Sequence, residues 1–575
     1  MRTALPPPSP VSISNSTDQE EGGIDIVDSG ANTESLDPII ESKSGLIIGT
    51  STRVQDKIIN SFLGIPYALP PVGDHRFRRP ELVPSWGKDA LEAKNFSDPC
   101  IQFTPPHLIL TPWLSETDKN GSEDCLYLNI WAPEDPLKPE SDLKTVLVWL
   151  HGGAFFAGSA DVDMYNGEML AAVGDVVLVS VNYRLGALGF LTTNSDEIAG
   201  NMGMFDQAMA LHWIKENAES FGGDPDNIVL FGQSAGATSA GMHLFSPLTR
   251  DIPSRVILQS GGPLFPKIYF ENALEKSNLF THHVGCGNGT EDLLTNSSNT
   301  LDCLMNLSIE EIVEGHKPLF DLYKIPFFPH PGDEFLPDLP HDLIHDPSNL
   351  GPQTEILMGN MEDEGAFFLH LFFPQIFQHS DDSIAANFTV EDARDYIAKA
   401  YSFIPEQQAQ VMSQFFLSSM SGFRSNSSGE TVLKATHDII GDSGFVCPAV
   451  LLSELMSEYN VTVYHYLMTG RPFKSEWSRW MGSTHMDEVE FVFGLPLRYP
   501  DRYANEEIEF SKQMIQTWTT FAKTGSVPAI SNTTWPAYSK DSPNYLELNV
   551  TSTRIRTAPH KSSCNLWKII YDSFL

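Results

Sequence analysis

Between residues 145 and 261, short unbroken apolar runs alternate with longer stretches of helical periodicity. The runs are TVLVWL (145–150), DVVLVSV (175–181), NIVLF (227–231) and RVILQS (255–260). A strand with one wet face would alternate apolar and polar residues. Unbroken runs instead suit parallel strands covered on both faces. Between two of them, GMFDQAMALHWIKENAESFGG places apolar residues at helical spacing and ends on glycines, the pattern of a helix with a stop signal. Repeated strand–helix–strand order predicts an α/β fold with a large, mostly parallel central sheet. TEILMGN (354–360) and VTVYHYLM (461–468) read as later strands. The stretch from 370 to 440 has more helical and loop character and reads as an insertion over the sheet. Residues 1–37, rich in Pro, Ser, Asp and Glu, read as a flexible leader. Residues 38–575 are then expected to form one domain.

Charge narrows the function. The chain carries 36 basic and 74 acidic side chains, a net −38, which argues against nucleic-acid binding and is compatible with attracting cations. No stretch reaches the about 18 apolar residues of a membrane-spanning helix. Glycosylation sequons recur at Asn15, Asn95, Asn120, Asn288, Asn296, Asn306, Asn387, Asn426, Asn460, Asn532 and Asn549. With an even cysteine count of six, they predict a secreted or extracellular, disulfide-bonded glycoprotein. The opening MRTALPPPSPVSIS has no apolar core and does not read as a signal peptide.

The candidate chemistry lies at FGQSAGA (231–237). Gly232 and Gly236 flank Ser234 in the G-x-S-x-G pattern, after an apolar strand and before a helix. A sharp strand-to-helix turn exposes the hydroxyl at the carboxyl end of the sheet, and the helix N-terminus behind it favours negative charge. One strand upstream, WLHGGAFFAGS (149–159) has Gly152 and Gly153 where backbone N–H groups can turn toward a substrate oxygen.

These segments, together with SEDCLYLNIW, VNYRLGALGFL, FGGDPDNIVLFGQSAGA and HMDEVEFVFGLPL, resemble the type-B carboxylesterase and cholinesterase family. The likeness runs from about 45 to 570 and implies the α/β-hydrolase fold and hydrolysis of small carboxylic esters. By this resemblance LMGNMEDEGAFFL supplies the acid, Glu364, and WMGSTHMDEVEFVFG the histidine, His485. Glu362 and Asp363 are neighbouring acids that only the motif match sets aside. His485 would take the Ser234 proton, Ser234 would form an acyl-enzyme and Glu364 would orient the imidazole. The N–H groups of Gly153, Ala154 and Ala235 would hold the oxyanion, with Ala154 replacing a third glycine. Water would release the acid, so no metal or organic cofactor is implied. The family pairs its cysteines sequentially, here Cys100–Cys125, Cys286–Cys303 and Cys447–Cys564.

Choline selectivity is a separate question. Gln233 stands where cholinesterases carry an acidic residue beside the nucleophile, so it keeps hydrogen bonding and loses the attraction for a cation. Trp113 is the candidate aromatic floor for choline, two residues farther from Cys125 than the family spacing. Phe367 and Phe368 match gorge aromatics, and Trp477 and Trp480 match family aromatics before the histidine loop. Asp487 replaces a tyrosine, Lys267 an acyl-pocket tryptophan, and no acid lies five residues after Cys100. Tyr323 and Ile325 fall on the acyl-pocket loop. The expectation is a cholinesterase-like ester hydrolase, with a choline ester as one candidate substrate. A general carboxylesterase without choline preference and a catalytically silent adhesion protein are the alternatives. Silent relatives usually lose a triad member, and all three are present here. The sequence gives no sign of oligomeric state.

Overall fold

Eleven strands, here β1 to β11, make the central sheet of the computed structural model: Thr50–Val54, Lys57–Pro66, Tyr127–Glu134, Lys144–Leu150, Val177–Val181, Gly223–Gln233, Pro253–Gln259, Glu355–Met361, Val463–Met468, Asn544–Leu548 and Arg554–Thr557. The structure describes residues 37–105, 121–134, 143–193, 198, 200–266, 272–287, 297–351, 355–378, 380–401, 404–419, 424 and 427–574. The expected leader therefore lies outside the described residues, apart from Asp37. The sheet order is β11-β10-β9-β8-β7-β6-β4-β5-β3-β2-β1. From β10 across to β5 every neighbour is parallel, and both margins are antiparallel. Each run read from sequence forms a strand. β4 buries Thr145 to Leu150 without a break, and β5 is buried at every position. Helices on both faces exclude water from such strands, which is why their sequences do not alternate.

β6 lies in the middle of the parallel block. Its end pairs Gly232 with Leu150 of β4 and Gln233 with Gln259 of β7. The helix read from sequence is α1 (Met202–Asn217), and α2 (Ala235–His243) follows β6 directly. The helical insertion is also present. It includes α3 (Glu406–Ser419) and α4 (Gly429–Gly441), and the latter passes through a π-helical turn, Asp442–Val446, into α5 (Cys447–Glu458). The continuous helix Gly429–Glu458 is long and apolar enough to cross a membrane, yet 78% of its most apolar stretch is buried inside the protein. Interspersed polar residues keep it from reading as an apolar run in the sequence.

The three disulfides join Cys100 to Cys125, Cys286 to Cys303 and Cys447 to Cys564, as the resemblance implied. The last ties the start of α5 to the C-terminal helix α6 (Lys561–Phe574) across 117 residues of chain. Both cysteines are buried. Replacing Cys447 and Cys564 together by serine should lower unfolding stability by about 2–4 kcal/mol. Denaturant unfolding checks this, and an unchanged midpoint would contradict it.

Candidate active site

Ser234 caps α2 with φ 56° and ψ −121°, a conformation non-glycine residues rarely adopt. Its N–H donates to Gln259 O at 2.9 Å, fixing the turn to β7. The turn closes because residue 236 is glycine: a Cβ there would lie 1.9 Å from Leu150 O. Helix α2 can therefore begin immediately over the end of β4, with its first N–H groups unpaired within the helix.

Facing it is the turn after β4. Gly153 has φ 112° and Ala154 φ 52°. Ala157 N–H donates to Gly153 O at 3.0 Å and Phe156 N–H to the same oxygen at 3.1 Å. Among the described residues, no protein acceptor takes the N–H of Gly153 or Ala154. His151, beneath this turn, stacks on Tyr183 with centroids 4.4 Å apart. Burial pushes its pKa down to about 4, so it is neutral and leaves the turn without a competing charge.

The acid and the histidine arrive from two loops. Glu364 opens α7 (Glu364–Phe372), which follows β8, and is 1% exposed. One carboxylate oxygen accepts from Met361 N at 2.9 Å, and the other from His485 Nδ1 at 2.5 Å. Nδ1 therefore carries the proton and Nε2 is free to accept. The His485 loop is held from below by Asp363. Its Oδ2 accepts from Ser483 N at 2.9 Å, and its own N–H donates to Ser483 O at 3.0 Å. The rival acid noted in the sequence thus clamps the histidine loop. Around the imidazole, Phe367 stacks at 5.6 Å, and Phe368 and Phe445 sit at 5.1 and 5.0 Å. Phe445 comes from the π-helical turn, which the sequence analysis did not single out.

Gln233, the neutral residue before the nucleophile, makes its hydrogen bond to the histidine. It is fully buried, and its Nε2 lies 3.0 Å from His485 Nε2. With Nδ1–H given to Glu364, the amide is the donor. Among the described residues, Gln233 Oε1 has no partner, and no hydrogen bond joins Ser234 Oγ to His485. Trp113 and Lys267 lie outside the described residues. Trp477 is buried 6.2 Å from Phe367, and Trp480 lies 5.9 Å from Phe377.

Of two acids next to the histidine, Asp487 was noted in the sequence only as replacing a tyrosine, and Glu488 was not singled out. Glu488 is buried and accepts from Gln259 Nε2 at 3.2 Å, and Gln259 Oε1 accepts from Trp518 at 3.0 Å. Burial, then the charge of Glu364, pushes its pKa up to about 8. Asp487 accepts from Thr484 N at 3.0 Å, and burial drives its pKa well above the usual carboxylate range. Their signal was the acidic pair inside an apolar run, HMDEVEF. On the far side of Asp363, its carboxylate, His437 and Asp438 bring ligand atoms within 4.8 Å of one another. Lys434 fills that position. Its ammonium is 3.0 Å from Asp363 and also bonds Asp438.

With this geometry in place, the comparisons are decisive. The model of the carboxylesterase family matches residues 36–567. The chain belongs to the carboxylesterase family. Acetylcholinesterase-1 of Trittame loki is 33% identical over 553 residues, covering 94% of this chain and 96% of that protein. Acetylcholinesterase of Bungarus fasciatus is 34% identical over 540 residues, covering 92% and 85%. Cholinesterase of Mus musculus is 33% identical over 553 residues, covering 94% and 88%. The protein is a cholinesterase-like serine carboxylic-ester hydrolase with the α/β-hydrolase fold.

Glu488 generates a pH prediction. In the folded chain it keeps its proton to about pH 8, while an unfolded glutamate releases it near 4.5. Between those values the folded state binds more protons, so this residue's contribution to stability falls as pH rises. Glu488→Gln should gain stability relative to the parent between pH 5 and 8, on the order of 3 kcal/mol. Denaturant midpoints at several pH values test this. A difference that does not change with pH would contradict it.

Proposed function

We propose that Ser234 is the nucleophile, His485 the general base and Glu364 its orienting acid. The hydrogen bond of His485 to Glu364 carries this reading, because it leaves Nε2 as an acceptor beside the strained serine turn. Gln233 occupies that acceptor in the resting site and must yield it to Ser234 Oγ when substrate enters. The serine oxygen then bonds to the ester carbonyl carbon while its proton passes to His485 Nε2. The N–H groups of Gly153, Ala154 and Ala235 stabilise the oxyanion. The C–O bond to the alcohol breaks, the alcohol leaves with the proton from His485, and water repeats the sequence to free the acid. Glu364 keeps its hydrogen bond to Nδ1 throughout, orients the ring and stabilises the imidazolium.

A choline ester is one candidate substrate, supported by the relatives named above as acetylcholinesterases. The surroundings weaken cation attraction. Gln233 is neutral, and Pro105 takes the position five residues after Cys100 where the resemblance puts a gorge-mouth acid. Pro105 lines a cavity of about 520 Å3 whose charged residues are Lys317, Lys324, Lys399 and Asp321. We also infer a secreted glycoprotein, since the disulfides suit an oxidising compartment and the sequon residues Asn95, Asn306, Asn387, Asn460 and Asn532 are exposed.

Ser234→Ala should reduce ester hydrolysis by at least about 10⁴-fold with the fold intact, and an organophosphate should label the parent but not the variant. Near-normal turnover by the variant would overturn the assignment. Gln233→Glu should raise the ratio of kcat/KM for acetylcholine over an uncharged isostere about fivefold, measured at each variant's pH plateau. An unchanged ratio would assign the weak cation preference to the mouth instead.

A further inference from the structure

Gln259 closes β7 inside the parallel block, paired with Gln233 of β6 on one side and Gly359 of β8 on the other. Its backbone oxygen accepts the Ser234 N–H at 2.9 Å and so anchors the serine turn. Its side chain is fully buried and reaches the histidine loop. There Nε2 donates to Glu488 Oε1 at 3.2 Å, three residues after His485.

The orientation of this amide is fixed from outside. An indole N–H can only donate, and Trp518 Nε1 donates to Gln259 Oε1 at 3.0 Å. The oxygen is thereby assigned, and Nε2 is left to face the carboxyl group. Trp518 is buried on α8 (Asn505–Thr524), with its ring 5.4 Å from that of Tyr466. The same helix also holds the chain beyond the histidine, where Ser511 Oγ donates to Phe491 O at 2.7 Å. Glu488 Oε2 has no partner among the described residues, so the Gln259 amide is what ties this acid to the sheet. Glutamine offers one acceptor and one donor without adding a charge beside Glu364, Asp487 and Glu488.

In the resting site the serine and the histidine do not hold each other. Gln233 occupies His485 Nε2, and among the described residues no hydrogen bond joins Ser234 Oγ to the ring. The elements that carry the two side chains therefore set their separation. Glu364 and Asp363 brace the histidine loop from the β8 side. Gln259 bonds both segments, the serine turn through its backbone and the histidine loop through its side chain. Gln233 also reaches both, but it must release the imidazole when substrate enters. Gln259 keeps its bonds through the whole cycle. Such a link matters because a misplacement of about 1 Å between reacting groups costs about 10²-fold in rate.

We propose that Gln259 is a positioning residue for ester hydrolysis, a strut that keeps the Ser234 turn and the His485 loop at one working separation. The inference rests on Ser234 and His485 being the catalytic pair.

The test follows p-nitrophenyl acetate hydrolysis by the full chain. Gln259→Leu keeps the backbone bond to Ser234 and nearly the same volume, and removes the strut. It should lower kcat about tenfold with KM within about twofold of the parent, because the reacting groups shift while the substrate's contacts remain. Trp518 and Glu488 lose their partner in this variant, so a second pair of variants separates position from stability. Gln259→Glu sets two carboxyl groups against each other and should lower kcat at least as far. Adding Glu488→Gln to it exchanges the two groups: Trp518 keeps an acceptor, and the amide at position 488 donates to the carboxylate at 259. The double variant should return kcat to within about threefold of the parent. A folded Gln259→Leu with the parent's kcat would overturn the strut and leave the catalytic reading standing. So would a fall in kcat/KM carried by KM alone, or a double variant that regains the parent's melting temperature without regaining kcat. Where Gln259→Leu does not fold, the double variant compared with Gln259→Glu decides by the same criterion. A parent that hydrolyses no ester and leaves Ser234 unlabelled by an organophosphate would overturn both readings.

Discussion

Helix α2 must start within van der Waals reach of the end of β4, and the site depends on that close approach. The absence of a side chain at Gly236 permits it, and the price is a serine held at φ 56°. Such a conformation costs about 1–3 kcal/mol. Burial of β4, β6 and β7 on both faces supplies far more than that, so the strained residue persists. The same approach brings the N-terminus of α2 against the turn at Gly153 and Ala154. The small volume between the two elements is bordered by a turn whose Gly153 and Ala154 N–H groups meet no protein acceptor among the described residues.

The electrostatics behind this volume follow from burial. Glu364, Asp487 and Glu488 all lie near His485 in an interior nearly closed to water. Three full negative charges could not share it. Glu364 receives the imidazole N–H and a backbone N–H. Burial pushes the pKa of Glu488 up to about 8 and that of Asp487 well above the usual carboxylate range. On the other side of the loop, Lys434 neutralises Asp363 and Asp438, which lets Asp363 serve as a rigid clamp on Ser483. The histidine is thus positioned by two acids with different tasks: one touches its ring, and one holds its backbone loop.

Much of this was legible in the sequence because parallel strands and tight turns leave local signatures. The unbroken runs at 145–150 and 227–231 reflect two-sided burial, and the glycines around Ser234 reflect a steric limit within five residues. Glu364 and His485 were reachable only through family motifs, since nothing local distinguishes Glu364 from Glu362 and Asp363. The hydrogen bond from Gln233 to His485 was not legible. It joins side chains 252 residues apart and depends on rotamers that no pattern encodes. A cavity of about 640 Å3 lined by Phe368 and Phe445 was hidden for a related reason. Its walls come from the insertion, the π-helical turn and the C-terminal helix, which only the folded chain brings together.

The central claim is that the turn at residue 234 receives the acyl group. A rapid-quench experiment with a chromogenic ester measures this directly, followed by mass mapping of the quenched protein. The account predicts a burst of alcohol approaching one equivalent per chain and an acyl mass on the peptide containing Ser234. Hydrolysis without a burst and without any acylated peptide, or an acyl group found on another residue, would contradict it.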